Sequence, residues 1–373
     1  MGVNNDALKD LIATTLKDLP QNQFEVMWDS VNYEWCRVYN SNRRTIDGGT
    51  SIQRNVMLDR NGRARYRRLY DTDQPVVDNN QHIIDVPWTQ FGTDYSWDEL
   101  ELLRNRASTK GFINLIRSRK VERYWDMAEM FEDRNWMTPN TPTDRLHPYG
   151  VPYYINFLDN GSEVGGFHGR VVRYQDGQSG TIVAGIDGAT EPKWRNYADV
   201  YTKIDNAFLR TIRSAVRRTR FRPSPWVQSP GKDGVGSPIK LYANDAITGE
   251  LEDLSDKRDD NNSPKDLAGK MLHSYEGVAH FNRMPIQYIP QLDGFSVVDG
   301  NGDLFEPEPI YCVDFTKFIP VVQDGYWMKE TEPMRDRGQH TTYSVFCDSS
   351  HNNLCINRRT AGFVIHKKIP AAS

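Results

Sequence analysis

The chain has 373 residues, a net charge of −4, 26% charged residues and 38% apolar residues, a balance typical of a globular protein. Its four cysteines exclude a disulfide scaffold, no run approaches the ~18–20 apolar residues of a membrane span, and the N-terminus lacks the pattern of a secretory signal. Arginine dominates the basic residues, with 31 arginines against 15 lysines, a bias that indicates protein interfaces or phosphate contacts.

The N-terminal quarter contains little that could form a core by itself. Helical spacing predicts a short helix over residues 4–19, and the aromatic-rich residues 24–40 are expected to be extended. GRARYRRLY (62–70) alternates like a strand, with Arg63, Arg65 and Arg67 on one face. HIIDVPWTQFGTDYSW (82–97) is a second strand-like run. Together they predict a long hairpin that has too few apolar residues to be stable alone.

Helices are predicted next. A short one follows Ser96, a plausible N-cap with Glu99 three residues on. A long helix covers about 107–136, and its apolar stripe consists of Ile113, Ile116, Tyr124, Met127 and Phe131. An acidic stripe on another face consists of Glu122, Asp126, Glu129 and Asp133. A further helix, about 203–221, buries Ile204, Phe208, Ile212 and Ala215 and carries Arg210, Arg213, Arg217 and Arg220.

The rest of the chain predicts mainly strands. Residues 145–190 are Gly-rich strands and turns, and IKLYANDAI, MPIQYIPQL, EPIYCVDFTKFIPVV and GYWMKE are strand-like. The end, TTYSVFCDSSHNNLCINRRTAGFVIHK, predicts two strands with a tight connection.

The stretch CDSSHNNLC (347–355) is a candidate metal site, because thiols and imidazoles are zinc ligands. A hairpin centred on His351 would place Cys347 opposite Cys355, with Cβ atoms about 5 Å apart. His351 would then lie at the tip and point away from both thiols. A cross-strand cysteine pair that serves as framework is therefore favoured over a zinc site.

Catalytic motifs are absent from the sequence. No GxxxxGK[ST], GxSxG or HExxH occurs, and the glycines at 161–169 lack the context of a dinucleotide site. The arginines of the helix at 203–221 could bind nucleic acid, or they could pair with carboxylates on an exposed face. We predict no enzyme, no catalytic residue, no cofactor and no metal.

The order of segments resembles that of a known family. A hairpin poor in apolar residues leads through VPWTQFGTDYSWDELELLRN into a long helix that ends ERYWDMAEMFEDRNW. GVPYYINF, GATEPKWRNYADVYTKID and GYWMKETEPMRDRGQHTTYSVFCDSSHNNLCINRRTAGFVI follow. From about residue 45, this pattern resembles the major capsid proteins of tailed double-stranded DNA phages, which have the Hong Kong 97-like fold.

The resemblance implies an α+β fold in five parts. They are an N-terminal arm (1–44), an extended E-loop hairpin (45–96), a peripheral domain with a long spine helix (97–144), an axial domain with a mixed sheet flanked by helices (145–334), and closing strands of the peripheral domain (335–373). CDSSHNNLC would lie in the closing hairpin. No lysine lies between Lys17 and Lys110, so an E-loop of this kind has no amine for an isopeptide bond.

The implied function is structural. Copies of the chain would form hexamers and pentamers of an icosahedral shell around phage double-stranded DNA, assembled in the bacterial cytoplasm and found in the virion. Partners would be a portal protein, a scaffold or decoration protein and non-specifically bound DNA, with no membrane. An encapsulin-type compartment and a nucleic-acid-binding enzyme remain alternatives. The expected contact between subunits joins Arg63, Arg65 and Arg67 to the acidic stripe of a neighbour. The alternative is that these arginines only keep the loop soluble or contact packaged DNA.

Overall fold

The computed structural model describes residues 33–59, 62, 64–70, 72, 80–104, 109–159, 166–220, 239–259, 272–275, 278–281, 284–299, 301–335, 338 and 340–370. The predicted helix over 4–19 lies outside these residues. The helices of the described residues are α1 (Glu34–Asn42), α2 (Glu99–Arg104), α3 (Thr109–Asn135), α4 (Val151–Tyr154), α5 (Asn206–Thr219), α6 (Asp245–Asp259) and α7 (Arg358–Ala361), with 3-10 turns at Pro192–Trp194 and Pro290–Leu292.

The strands of the described residues belong to two large sheets and several two-stranded ribbons. They are β1 (Arg44–Ile46), β2 (Ser51–Met57), β3 (Gln81–Pro87), β4 (Thr89–Asp98), β5 (Gly166–Gly169), β6 (Val172–Arg173), β7 (Ser179–Gly180), β8 (Ile182–Val183), β9 (Ile186–Asp187), β10 (Asn196–Tyr201), β11 (Lys240–Ala243), β12 (Leu272–Tyr275), β13 (Val278–Phe281), β14 (Met284–Tyr288), β15 (Val297–Val298), β16 (Leu304–Phe305), β17 (Ile310–Val313), β18 (Phe318–Gln323), β19 (Lys329–Glu330), β20 (Met334–Arg335), β21 (Thr342–Cys355) and β22 (Gly362–Lys367).

Helix α1 contradicts the predicted extended segment over its residues. Trp35, Val38 and Tyr39 are three and four positions apart, so they share one helical face, and all three are buried. The Trp35 ring lies 6.1 Å from Trp136 and the Tyr39 ring 5.1 Å from Phe131. The extended segment was predicted because aromatic residues are enriched in strands. The helical spacing of these three residues is the stronger signal here, so the prediction was wrong.

The predicted hairpin exists, but its first strand is not GRARYRRLY. Strands β2 and β3 pair antiparallel over seven positions, and the described residues of 62–70 form no strand and are exposed. The root of the hairpin is buried by its own chain through Ile52, Ile84 and Val86. Asp85 N–H also donates to the Ala184 carbonyl at 3.0 Å. Within the described part of the hairpin, residues 64–70 at the far end therefore lack a core.

The predicted long helix is confirmed as α3, with ends within two residues of the prediction. Met127 and Phe131 are buried as predicted, whereas Tyr124 is 39% exposed. The preceding cap was assigned wrongly. Ser96 belongs to β4, and Asp98 Oδ1 accepts the Leu100 N–H at 2.8 Å instead.

One long strand, β21, organises a six-stranded sheet. Along one edge it pairs antiparallel with β4 over ten positions, and along the other it pairs in turn with β20, β19 and β18. Strand β1 extends the sheet by pairing parallel to β18. Helix α3 packs against β4, and α1 packs against α3. The sheet and α3 thus form one layered unit.

The hairpin predicted at His351 is wrong. Residues 342–355 form a single strand, in which Cys347 faces Thr93 and Glu330 across the sheet, and Cys355 faces Phe318. The two cysteines are eight residue steps apart along this strand, a distance of roughly 26 Å. They are therefore not a cross-strand pair and cannot form a disulfide with each other within one chain. His351 is 3% exposed and does not lie at a tip.

An eight-stranded mixed sheet forms the second layer, in the order β12-β13-β14-β11-β17-β22-β10-β5. The last strand, β22, joins this sheet and not the one that contains β21, because α7 redirects the chain between them. Helix α5 packs on β10 and β22, and α6 packs on β12, β13 and β14. The predicted sheet flanked by helices is therefore present.

Both faces of the central strands β11, β17, β22 and β10 are buried, and alternate residues separate two cores. Leu241 and Phe363 pack in the core under α5 and α6, with Phe208 and Ile212 of α5. Their neighbours in sequence, Tyr242 and Val364, belong to the larger core on the other face. That larger core continues through Trp35 and Val321 into the six-stranded sheet, so the two sheets share one interior.

Candidate subunit interface

The end of the hairpin is an exposed segment in which basic and aromatic side chains alternate. Arg65 and Arg67 are exposed, whereas Arg63 lies outside the described residues. Tyr66 is fully exposed, Tyr70 is 95% exposed and Leu69 is 83% exposed. Apolar surface of this kind costs free energy in water, at about 25 cal/mol per Å². These exposed apolar side chains were not predicted, because the alternation of the segment resembles a strand.

The acidic stripe of α3 faces outward. Glu122, Asp126 and Asp133 are exposed, and Glu129 is half-buried. Their spacing of four, three and four residues places them on one face of the helix, beside the buried row that contains Met127 and Phe131. The four predicted acidic residues therefore do share a surface.

An ion-pair cluster fixes α3 on the six-stranded sheet. Arg123 is almost fully buried, contacts the Tyr95 and Tyr124 rings and donates to Glu330 of β19. Lys120 reaches the same carboxylate at 2.9 Å. Burial opposes ionisation of Glu330, but hydrogen bonds from Arg123 and Lys120 outweigh it and hold its pKa below the ordinary value. This cluster orients the helix so that its acidic face points away from the sheet.

Two buried carboxylates attach α1 to the rest of the chain. Glu132 accepts from Trp35 N–H at 2.8 Å and from Trp136 Nε1 at 3.0 Å, and burial raises its pKa to about 7. Glu34 accepts from the Tyr242 hydroxyl at 2.8 Å and pairs with Lys240 at 3.1 Å. Each carboxylate joins α1 to another element, so the role of both is structural.

Arg358 is fully buried and connects four separate segments. Its guanidinium donates to the Tyr154 and Trp194 carbonyls at 2.7 Å each, to Asn196 Oδ1 at 3.0 Å and to the Gly169 carbonyl at 3.4 Å. Burial lowers its pKa to about 10, so it remains charged near neutral pH. Nothing in its sequence neighbourhood marks it as buried, and the sequence analysis missed it.

The structure also places the residues of the candidate metal site and the arginines of α5. Among them, no group of three or more His, Cys, Asp or Glu side chains could hold a metal ion. The buried thiols also have raised pKa values, with burial bringing Cys355 to about 12. On α5, Arg210 and Arg217 are exposed, and Arg213 is half-buried and donates to the Leu209 carbonyl. Arg220, the residue that follows the helix, is also exposed.

Among the helices of the described residues, none is both long enough and apolar enough to cross a bilayer.

The fold is similar to that of chains in solved capsid structures. A chain of the Cyanophage A-1(L) capsid superimposes with a TM-score of 0.57 at 12% identity, covering 96% of this chain and 99% of that one. A chain of the capsid of the native GTA particle gives a TM-score of 0.52 at 9% identity, covering 94% of this chain and 95% of that one. A chain of the capsid of Myoviridae Phage XM1 gives a TM-score of 0.50 at 10% identity, covering 95% of this chain and 98% of that one. No family model and no curated protein matches the sequence. The chain therefore has the predicted Hong Kong 97-like capsid fold.

Proposed function

We propose that this chain is the major shell subunit of a tailed double-stranded DNA phage, many copies of which assemble into a closed icosahedral shell. The fold similarity, which spans nearly the whole of each chain compared, supports this proposal. The observation that carries it is the hairpin end, where Tyr66, Leu69 and Tyr70 are almost fully exposed. An isolated globular protein gains nothing from such a segment, whereas a subunit can bury it against a neighbour.

The parts of the subunit would divide the work of assembly. In this proposal residues 1–44 form an arm, 45–96 the E-loop, 97–144 and 335–373 the peripheral domain, and 145–334 the axial domain. Strand β18 pairs with β21 and strand β22 with β10, so chain segments cross between the two sheets. Such crossings favour a subunit that moves as one piece during assembly.

Charged contacts would join neighbouring subunits in this shell. The arginines of the hairpin, Arg63, Arg65 and Arg67, would meet the acidic stripe of a second copy, formed by Glu122, Asp126, Glu129 and Asp133. Exposure of Arg65, Arg67, Asp126 and Asp133 supports this pairing. Each exposed pair contributes only about 0.2–1 kcal/mol, but an icosahedral shell repeats the contact at every subunit.

The proposed partners follow from the same function. Copies of the chain would form hexamers and pentamers, meet a portal protein and package double-stranded DNA through non-specific contacts. A separate scaffold or decoration protein would assist. The protein would assemble in the bacterial cytoplasm and remain in the virion.

Electron microscopy of the purified full chain, produced alone and with its candidate scaffold, tests the proposal. We expect closed icosahedral particles, because specific contacts of about 1,000 Å² or more would recur around each subunit. A monomer that persists at high concentration under all these conditions would overturn the proposed function. Particles purified from infected cells would contain DNA, whereas an encapsulin-type shell would contain a protein cargo.

A further inference from the structure

The exposed side of α5 has no role in the function described so far. The helix packs its apolar side on β10 and β22, and it also packs against α7. From Asn206 to Thr219 its sequence contains four arginines and no carboxylate. Arg210 and Arg217 lie two turns apart on the exposed side, and Arg218 is exposed as well. The helix thus presents a row of positive charges to solvent.

The short helix α7 adds Arg359 to this surface. Its guanidinium lies 4.0 Å from the centroid of the Phe167 ring, in β5. Contact with the ring restricts the planar guanidinium, and Nε is buried, so the terminal nitrogens are the donors with which Arg359 would reach a ligand. A Cβ added at Gly166, next to Phe167, would lie 3.7 Å from Arg218 Nη1. Arg218 of α5 and Arg359 of α7 therefore approach the same strand.

Arg195, the residue before β10, holds a further positive charge near Arg359. Its Nε donates to the Gly188 carbonyl at 2.6 Å and its Nη2 to the Ala189 carbonyl at 3.0 Å. Both acceptors are neutral, so they position the guanidinium without cancelling its charge. Burial lowers the pKa of Arg359, the charge of Arg195 lowers it further, and no carboxylate of the described residues has an opposing effect. An anion bound between the two arginines would offset this repulsion.

The carboxylates near these arginines have other partners. Asp199, near Arg218, is 8% exposed and accepts the Val200 N–H at 2.9 Å. Asp187, near Arg195, accepts the backbone N–H two residues later at 2.8 Å. Among the described residues, no ion pair joins either carboxylate to an arginine of this surface. The surface therefore carries an excess of positive charge.

The helix dipole explains only part of this arrangement. Positive charges in the last turn of a helix are stabilising, which accounts for Arg217 and Arg218. Arg210 lies in the first half of α5 and gains nothing from the dipole, and Arg195 and Arg359 belong to other segments. Three separate segments thus bring arginines to one surface, which indicates an anionic ligand.

The length of the row favours a polyanion over a single small ion. Seven residues of helix separate Arg210 from Arg217, a rise of about 10.5 Å. One strand of double-stranded DNA has a phosphate at every ~3.4 Å of rise, so the row spans about three phosphates. Arginine forms bidentate hydrogen bonds with phosphate oxygens, and such contacts carry no sequence information. A DNA duplex of any sequence would therefore fit this surface.

We propose that these arginines form the surface with which the subunit contacts the backbone phosphates of packaged double-stranded DNA. This arginine patch consists of Arg195, Arg210, Arg217, Arg218 and Arg359. The inference rests on the proposed function, because it requires a shell that encloses DNA. It goes further by assigning the non-specific contact to named residues and by placing the α5 side of the eight-stranded sheet toward the interior of the shell.

DNA binding by the unassembled full chain tests the arginine patch. The probe is a fluorescent duplex of mixed sequence and about 30 base pairs, titrated between about 50 and 200 mM salt. We expect the parent to bind with an affinity that falls steeply as salt rises. Arg210→Gln/Arg217→Gln removes two exposed charges, so the slope of log K against log salt should become shallower by about two. Arg217→Gln/Arg359→Gln should have the same effect.

The matched control, Arg54→Gln/Arg145→Gln, removes two exposed charges from β2 and from the loop after α3, and should leave the slope unchanged. The Arg210/Arg217 variant decides the question if the Arg359 variant does not fold, because both of its altered side chains are exposed. A parent that shows no salt-dependent binding would overturn the inference. Equal slopes for the parent and the Arg210/Arg217 variant, or equal changes in that variant and the control, would do the same.

A reconstruction of DNA-filled particles separates this inference from the proposed function. Helix α5 should line the interior, with DNA density next to Arg210 and Arg217. In closed particles, α5 could instead face outward, or the arginine patch could contact exposed carboxylates of a second copy, such as Glu250 and Glu252 of α6. Either result would refute the inference and leave the shell function standing. A chain that never forms particles would overturn the shell function, and the inference would fall with it.

Discussion

Arg358 shows what a single buried cation does in this protein. Its planar guanidinium satisfies acceptors from α4, the turn at Pro192–Trp194, β5 and β10 at the same time. A lysine carries one charge on a flexible stem and cannot reproduce this fork. Arg358 therefore sets the position at which the chain leaves β21 and enters β22.

Substitution of Arg358 by lysine should strongly destabilise the subunit. Hydrogen bonds to charged groups contribute about 1.5–3 kcal/mol each, and the variant would lose at least two, so we expect a loss of at least about 3 kcal/mol. Denaturant unfolding of unassembled subunits measures it. Arg217→Lys on the exposed face of α5 is the matched control and should change stability little. Equal stability of the two variants would contradict the role given to Arg358.

His366 should make stability depend on pH. Nε2 of the neutral ring accepts a hydrogen bond from the Leu158 N–H at 3.0 Å, and Nδ1 lies 2.6 Å from the Lys367 carbonyl oxygen. Burial lowers its pKa to about 4, below the 6.5 of an unfolded chain. Because the folded pKa is lower, its stabilising contribution is complete above pH 6.5 and is lost as the pH falls through 4. The loss approaches about 3 kcal/mol.

A comparison with His366→Gln isolates this effect from other titrating groups, including Glu132, whose raised pKa acts in the opposite direction. Glutamine offers a neutral acceptor for Leu158 but does not titrate. The free energy of unfolding of the parent should fall relative to the variant between pH 6.5 and pH 4. Parallel curves over this range would show that His366 is not a buried neutral ring.

At the scale of elements, the exposed hairpin end and the acidic face of α3 are the parts that assembly would bring together. Reversal of Arg65 and Arg67 to glutamate should block assembly and leave the circular dichroism of the subunit unchanged, because both side chains are exposed. Added reversal of Glu122 and Asp126 to arginine should restore part of the assembly, which sedimentation of the particles would measure.

The control for this experiment reverses Arg210 and Arg217 on α5, which are also exposed but lie on a different surface. These changes should allow normal assembly. If they impair assembly instead, the added reversals on α3 should not restore it. Normal shells of normal heat stability from the Arg65/Arg67 variant would refute the charged contact.

The elements also show what sequence alone can predict. Helix α3 was predictable because its apolar positions recur at helical spacing, and the amphipathic α5 was predictable for the same reason. Strand β21 was not, because Ser349–Asn353 has the composition of a turn. In the structure those residues are buried and bonded to distant groups. Asn352 Nδ2 donates to the Pro87 carbonyl at 2.7 Å, and Asn353 Nδ2 donates to Asn135 Oδ1 at 2.6 Å.

The candidate interface was predictable only in part. Charge patterning indicated Arg65, Arg67 and the acidic stripe, since like charges at regular spacing mark an exposed face. The first hairpin strand was missed because the exposed alternation of GRARYRRLY resembles a strand more than the true strand SIQRNVM does.

At the scale of the whole molecule, the shell should be held together without covalent bonds between subunits. No lysine lies between Lys17 and Lys110, so the hairpin has no amine that could form an isopeptide bond with a neighbour. Particles boiled under reducing conditions should run on a denaturing gel as one band at 43.0 kDa. A ladder of multimers that resists reduction would contradict this prediction.

The central claim is that the subunit is completed by its neighbours, and a cryo-electron microscopy reconstruction of assembled particles tests it most directly. The account predicts a closed icosahedral shell in which the far end of the β2–β3 hairpin lies on α3 of an adjacent subunit, with Tyr66 buried. A particle in which the hairpin end remains in solvent, or folds back on its own chain, would contradict it.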